Sequence, residues 1–176
     1  MKTRVTWLTA MTLMGAVLGG CGSIPAADPS GIMTVHSGSQ TADVYLDAGY
    51  NTTNQWNNFD GYAHGRLMVT IPVGYTVRLH VTNDGGIPYA LGVYDEVGNL
   101  AFKGAGNSIQ DLAWNPSLGI LPGDSATFTF TASRVGTYRM ANYLYHFPAH
   151  NPANVPLGMW DTLRVVSSGS PNVSVL

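Results

Sequence analysis

The sequence predicts an all-β domain, a Greek-key β-sandwich of about eight short strands. Three observations predict it. Apolar and polar residues alternate with a period of two in run after run, and almost no stretch shows a helical period. The 176 residues include 21 Gly and 10 Pro, which fall between those runs as turn residues. Hydrophobic residues are 45% of the chain and charged ones only 10%, so one domain of this length can bury a substantial core.

The runs come in order. Ala42–Asp47 is the first. In Arg66–Ile71, positions Leu67, Val69 and Ile71 share one face. Pro72-Val-Gly74 turns the chain into Tyr75–Thr82, where Val77, Leu79 and Val81 point inward and Arg78 and His80 outward. Tyr89–Tyr94 and Leu100–Lys103 are shorter. In Ser125–Thr131, Phe128 and Phe130 face the core while the threonines face water. Gly136–Asn142 and Trp160–Val166 complete the set. Residues 104–124 are irregular, with Trp114 as the expected anchor and room for one helical turn.

The N-terminus reads as a targeting segment. Lys2 and Arg4 precede an uncharged apolar stretch from Trp7 to Leu18, too short to span a bilayer comfortably. Leu18-Gly19-Gly20-Cys21 resembles the lipobox of bacterial lipoproteins, and the chain's single Cys stands where that motif needs it. The resemblance implies removal of residues 1–20, acylation of Cys21 and attachment to a bacterial membrane, in the periplasm or at the cell surface. Cleavage leaves 156 residues and, with Lys2 and Arg4 gone, moves the formal charge from −2 to −4. Residues 21–31 then read as a lipidated tether, 32–168 as the sandwich and 169–176 as a flexible tail.

Several classes are excluded. One Cys makes no internal disulfide and no Cys-rich zinc site. The charge gives no footprint for nucleic acid. No Gly-x-Ser-x-Gly elbow supports a hydrolase built on Asp60 and His64. Glu96 is the one Glu, and with Asp95 beside it on a strand the two carboxylates point to opposite faces. No phosphate-binding Gly loop is present. No reading calls for an enzyme.

The strand order carries a resemblance. Tyr50-Asn-Thr-Thr-Asn54, Asn58-Phe-Asp-Gly61, the Pro72–Asn83 run and Gly136-Thr-Tyr followed by Gly158-Met-Trp160 and Leu163–Val166 resemble sulfocyanin and related blue-copper proteins. The resemblance implies a cupredoxin-like fold and one copper held by two His, a Cys thiolate and a weak axial Met. Carried over residue by residue, the first His position, after Pro88, is Tyr89. The Cys position is Asn142, or Ala141 if the register slips by one. The second His is matched by His150 or His146, and the axial Met by Met159. With two of four ligands replaced, the thiolate among them, a type 1 blue site is not expected.

Three functions stay open at this point. The first is a lipid-anchored accessory or binding module of envelope or respiratory electron-transfer systems, docking through the aromatic loop 142–150. The second is a copper protein for trafficking or electron transfer, using a non-blue site of His146, His150 and Met159, with Met140 close by. The cofactor is therefore either none or copper. The third is a plain surface sandwich for adhesion or ligand binding. Tyr89, Tyr143, Tyr145 and Phe147 either form an apolar docking patch or fill the space a metal would have taken. His36, His64 and His80 read as scattered. The low charge also fits an acidic exterior.

Overall fold

The computed structural model of the protein describes residues 24–144 and 156–176. They fold as a cupredoxin-like β-sandwich of two mixed sheets. In chain order the strands are β1 (Met33–His36), β2 (Thr41–Ala48), β3 (Leu67–Pro72), β4 (Thr76–Asn83), β5 (Gly92–Tyr94), β6 (Ser125–Thr131), β7 (Gly136–Ala141), β8 (Trp160–Val166) and β9 (Asn172–Val175). One sheet has the order β1-β2-β4-β6, the other β5-β7-β8-β3-β9. Two pairs, β2 with β4 and β3 with β8, are parallel and the rest antiparallel. The parallel pairs arise because successive strands change sheet: β3 leaves β2's sheet and β4 returns to it.

The alternation read from the sequence decides which face is buried. Leu67, Val69 and Ile71 of β3 meet Val77, Leu79 and Val81 of β4 across the sandwich, all at most 1% exposed. Removing one such side chain costs about 2–5 kcal/mol. Phe102 stacks on Phe130 at 5.2 Å and meets Tyr138 edge-on at 4.9 Å, closing the core away from the candidate site.

The expectations differ from the structure in three places. Nine strands are found among the described residues rather than about eight: Leu100–Lys103 drops out, while β1 and, from the expected tail, β9 (Asn172–Val175), which pairs with β3, are added. The alternation of β9 is too short to stand out, and its partner is about a hundred residues away in sequence. Of the expected tether, residues 24–31 lie against the domain. Asn51 Nδ2 donates to the Ile24 carbonyl (2.9 Å), Ala27 N–H to the Asp60 carbonyl (2.8 Å) and Tyr62 OH to the Ala27 carbonyl (2.7 Å). Leu100–Lys103 is not a strand; it meets β5 by the Tyr94–Leu100 bridge, and of Tyr89–Tyr94 only residues 92–94 are one. In 104–124 the helical turn for which the sequence left room forms as α1 (Ile109–Trp114), capped by the Ser108 hydroxyl on Asp111 N–H at 2.9 Å. Leu112 and Ile120 are its buried anchors; the side chain of Trp114 is outside those described.

Candidate functional site

The candidate site sits at one end of the sandwich, where segments 49–64, 83–91, 118–121, 142–144 and 157–160 meet. Met140 of β7 faces the main core and Ala141 faces the opposite side, in a cluster with Ala90, Tyr94, Leu112, Tyr143 and Leu144. Asn142 follows the parity of Met140 and turns inward. Of the two candidates, Asn142 is thus the one bonded to the segment after Tyr89 and to Met159.

Asn142 is 2% exposed, and both atoms of its carboxamide are hydrogen-bonded. Its Oδ1 accepts from Ala90 N–H (3.1 Å) and Leu144 N–H (3.0 Å), while its Nδ2 donates to Met159 Sδ (3.5 Å). Its own N–H donates to the Met159 carbonyl (3.1 Å). One carboxamide thus ties together the segment after Tyr89, the end of β7 and the thioether before β8. A neutral amide can do this because it carries both acceptor and donor atoms.

Tyr89 is 1% exposed and lies in a slot floored by glycine. A Cβ at Gly85 would stand 2.6 Å from its ring and one at Gly49 2.8 Å. The phenol OH donates to the Trp56 carbonyl at 2.7 Å. The backbone of Tyr89 exchanges bonds with Ile120. Burial of Tyr89 and of Tyr143, which meets Tyr94 edge-on at 4.8 Å, settles the choice for these two rings. They fill interior space and offer no docking surface.

Met159 is wholly buried. Two residues on, Asp161 is also wholly buried, with Oδ1 accepting from Leu67 N–H at 2.9 Å and Oδ2 without a partner among the described residues. Burial pushes its carboxyl up to about 8, outweighing the Leu67 N–H bond and the Arg66 charge that favour ionisation. Asp60 is held similarly. Burial first and the Asp47 charge second push it up to about 8, against the Asp47 N–H, which its carboxylate accepts at 3.3 Å.

An asparagine-rich loop walls the site. Asn54, Gln55 and Trp56 all have left-handed backbone (φ 50, 55 and 68). Three such residues in succession cost about 1–2 kcal/mol each. Side chains hold the turn: Asn54 Nδ2 donates to the carbonyls of Asn57 (2.7 Å) and Leu157 (2.5 Å), and Asn58 Nδ2 to those of Asn51 (2.8 Å) and Thr53 (2.7 Å). His64 Nε2 lies 3.3 Å from Asn54 Oδ1, with its ring where a Gly158 Cβ would fall. Trp56 is left 46% exposed.

The expected positions Tyr89, Asn142 and Met159 therefore lie in one connected group. His146, His150, Tyr145, Phe147 and Cys21 lie outside the described residues. Among the described residues no three His, Cys, Asp or Glu side chains are grouped to hold a metal. The donors that are grouped among the described residues, the Asn142 carboxamide and the Met159 thioether, include no thiolate and no imidazole and do not by themselves fit a type 1 copper centre. Sequence reading missed Trp56, Asp161 and the glycine slot; the dense Asn run 51–58 was the available signal. His36 and His80, read as scattered, meet elsewhere on Asp43, on the outer face of the four-stranded sheet.

The description "Sulfocyanin (SoxE) domain" matches residues 30–175. No curated protein sequence matches. Among solved structures the chain is similar to auracyanin B (19% identity, 76% of this chain and 94% of that one, TM-score 0.44). It is similar also to a blue copper oxidase from Nitrosomonas europaea (20% identity, 70% and 38%, TM-score 0.49). A multicopper oxidase from Campylobacter jejuni is a third (13% identity, 82% and 29%, TM-score 0.48). The chain spans 38% or less of the length of these two oxidases.

Proposed function

We propose that this chain, which belongs to the sulfocyanin family, is an accessory module of an envelope or respiratory electron-transfer system rather than a blue-copper carrier. The family is one of cupredoxin-like, electron-transfer-type proteins that are generally extracytoplasmic. Among the described residues no helix is long and apolar enough to cross a membrane. Acylation at Cys21 holds the protein to the membrane, and the loop 142–150 meets the partner.

One observation supports this reading: Asn142, the residue that the resemblance puts at the thiolate position, is buried and hydrogen-bonded inside the fold. A residue so engaged is a structural replacement. It keeps the site end closed and shaped while removing the ligand on which blue-copper redox chemistry depends. What remains at that end is free to serve recognition.

The test is copper loading of the full mature chain, with bound metal counted and absorption and EPR spectra recorded. The expected result is no intense thiolate-to-copper band. One tightly held copper per chain, lost on His150→Ala, would replace the accessory reading with the copper-binding one.

A further inference from the structure

The described loops at the site end carry little formal charge. Residues 49–59, 85–94, 115–123, 142–144 and 156–160 contain no Lys, Arg, Asp or Glu, and Asp60, Asp84 and Asp124 stand at their borders. In a chain with 18 such residues, this leaves that end poor in charge. The same end shows large apolar side chains to solvent: Ile24 at 58%, Trp56 at 46% and Leu157 at 62% exposed, with Ile87, Leu118 and Leu121 at the rim. An uncharged apolar patch of this kind marks a surface meant to be covered.

The N-terminal segment reaches that end too. It is pinned to the Asn51–Tyr62 loop by the bonds at Ile24 and Ala27, and Ala26 packs where a Gly61 Cβ would fall. Cys21 is three residues before Ile24, so its Cα lies within about 11 Å of Ile24's, whatever path the chain takes. The anchor point is thus tethered within that reach of the apolar end.

We infer that this end is the face the protein lays on a lipid bilayer, with Trp56, Leu157 and Ile24 entering the headgroup region. The inference rests on the acylation of Cys21 proposed above. A Trp at the interface keeps its ring among apolar groups and its N–H in water. The acyl chains retain the protein and the face fixes its orientation. Asp84 and Asp124 are exposed on the flank, beside Asn83, so the face suits a neutral headgroup better than an anionic one. A partner reaching loop 142–150 then approaches along the membrane surface, at the edge of this face and not across it.

The test uses the full mature protein in phosphatidylcholine vesicles carrying brominated acyl chains, which quench a Trp that reaches them. Mass spectrometry of the Cys21 peptide comes first: no acyl group overturns the anchor and with it this orientation. With the acyl group present, wild type is expected to show strong quenching and a blue-shifted emission. Trp56→Phe should lose most of that quenching, and Leu157→Glu, at a solvent-facing position, should weaken it while the protein stays vesicle-bound. Equal quenching in wild type and Trp56→Phe, or none in wild type, would overturn the face and leave the anchor standing. A requirement for phosphatidylglycerol, abolished by salt, would overturn it as well, since a charged surface would then be the one in contact.

Discussion

The site end and the outer face of the four-stranded sheet handle polar groups in opposite ways. At the site end neutral carboxamides do the work, with Asn51, Asn54, Asn57, Asn58, Asn83 and Asn142 bonding backbone groups. On the outer face charge gathers at one point. Asp43 receives Arg78 (Nε 2.6 Å, Nη2 2.7 Å), His36 Nε2 (2.8 Å) and His80 Nε2 (3.0 Å), and His80 stacks on Tyr45 at 4.8 Å. Burial alone pushes Asp43 up, but the hydrogen bonds from Arg78, His80 and His36 outweigh it and hold the carboxyl at about 2. Asp60, near the amide end and without a cation, moves the other way, to about 8. Carboxylates stay charged where cations back them and protonate where only amides do.

The sharpest way to break this contrast is to restore ligands at the amide end. The double variant Tyr89→His, Asn142→Cys, loaded with Cu(II), should change from no intense visible band to a strong thiolate charge-transfer band, with His150 and Met159 completing the set. Failure to bind copper would mean that these positions do not converge as a donor set.

The next effect is on pH. Asp60 is raised above its unfolded value, so its contribution is fully present below about pH 4 and is lost as pH rises through 8. Stability should fall across that window with a slope of up to about 1.4 kcal/mol per pH unit from this one group. Urea midpoints measured from pH 4 to 9 check this, and Asp60→Asn should reduce the slope. A profile rising toward pH 8 would reverse the assignment.

Asn142→Ala orphans two buried N–H groups, of Ala90 and Leu144, and should cost about 2–4 kcal/mol in denaturant unfolding. A neutral result would mean that water enters and takes over the bonds.

The smallest effect belongs to the outer face. Asp43→Asn should cost about 1 kcal/mol at pH 7, because Arg78 and His36 remain close to half exposed and water replaces the lost carboxylate. Asp43 is depressed, so its contribution is present above about pH 4 and lost as pH falls through 2. Wild type should therefore weaken below pH 4 and the variant should not.

The period-two alternation made the sandwich legible, since Leu67, Val69, Ile71, Val77, Leu79 and Val81 needed only one side of each strand to be apolar. The site was legible as a set of positions but not as a bonding pattern. Asn142 reaches Met159 across 17 residues, and Asp43 collects three partners from β1 and β4; pairing registers decide both. Cation partners on separate strands leave no local signal, so His36 and His80 looked scattered. β9 was hidden for the same reason, a short run whose meaning comes from β3.

The left-handed turn at Asn54–Trp56 has a consequence for where its ring is held. At φ 68 a glycine would sit at Trp56 with less strain than a bulky aromatic. The bonds of Asn54 and Asn58 therefore also present the ring: losing them would let Trp56 relax away from the position in which it is half in solvent.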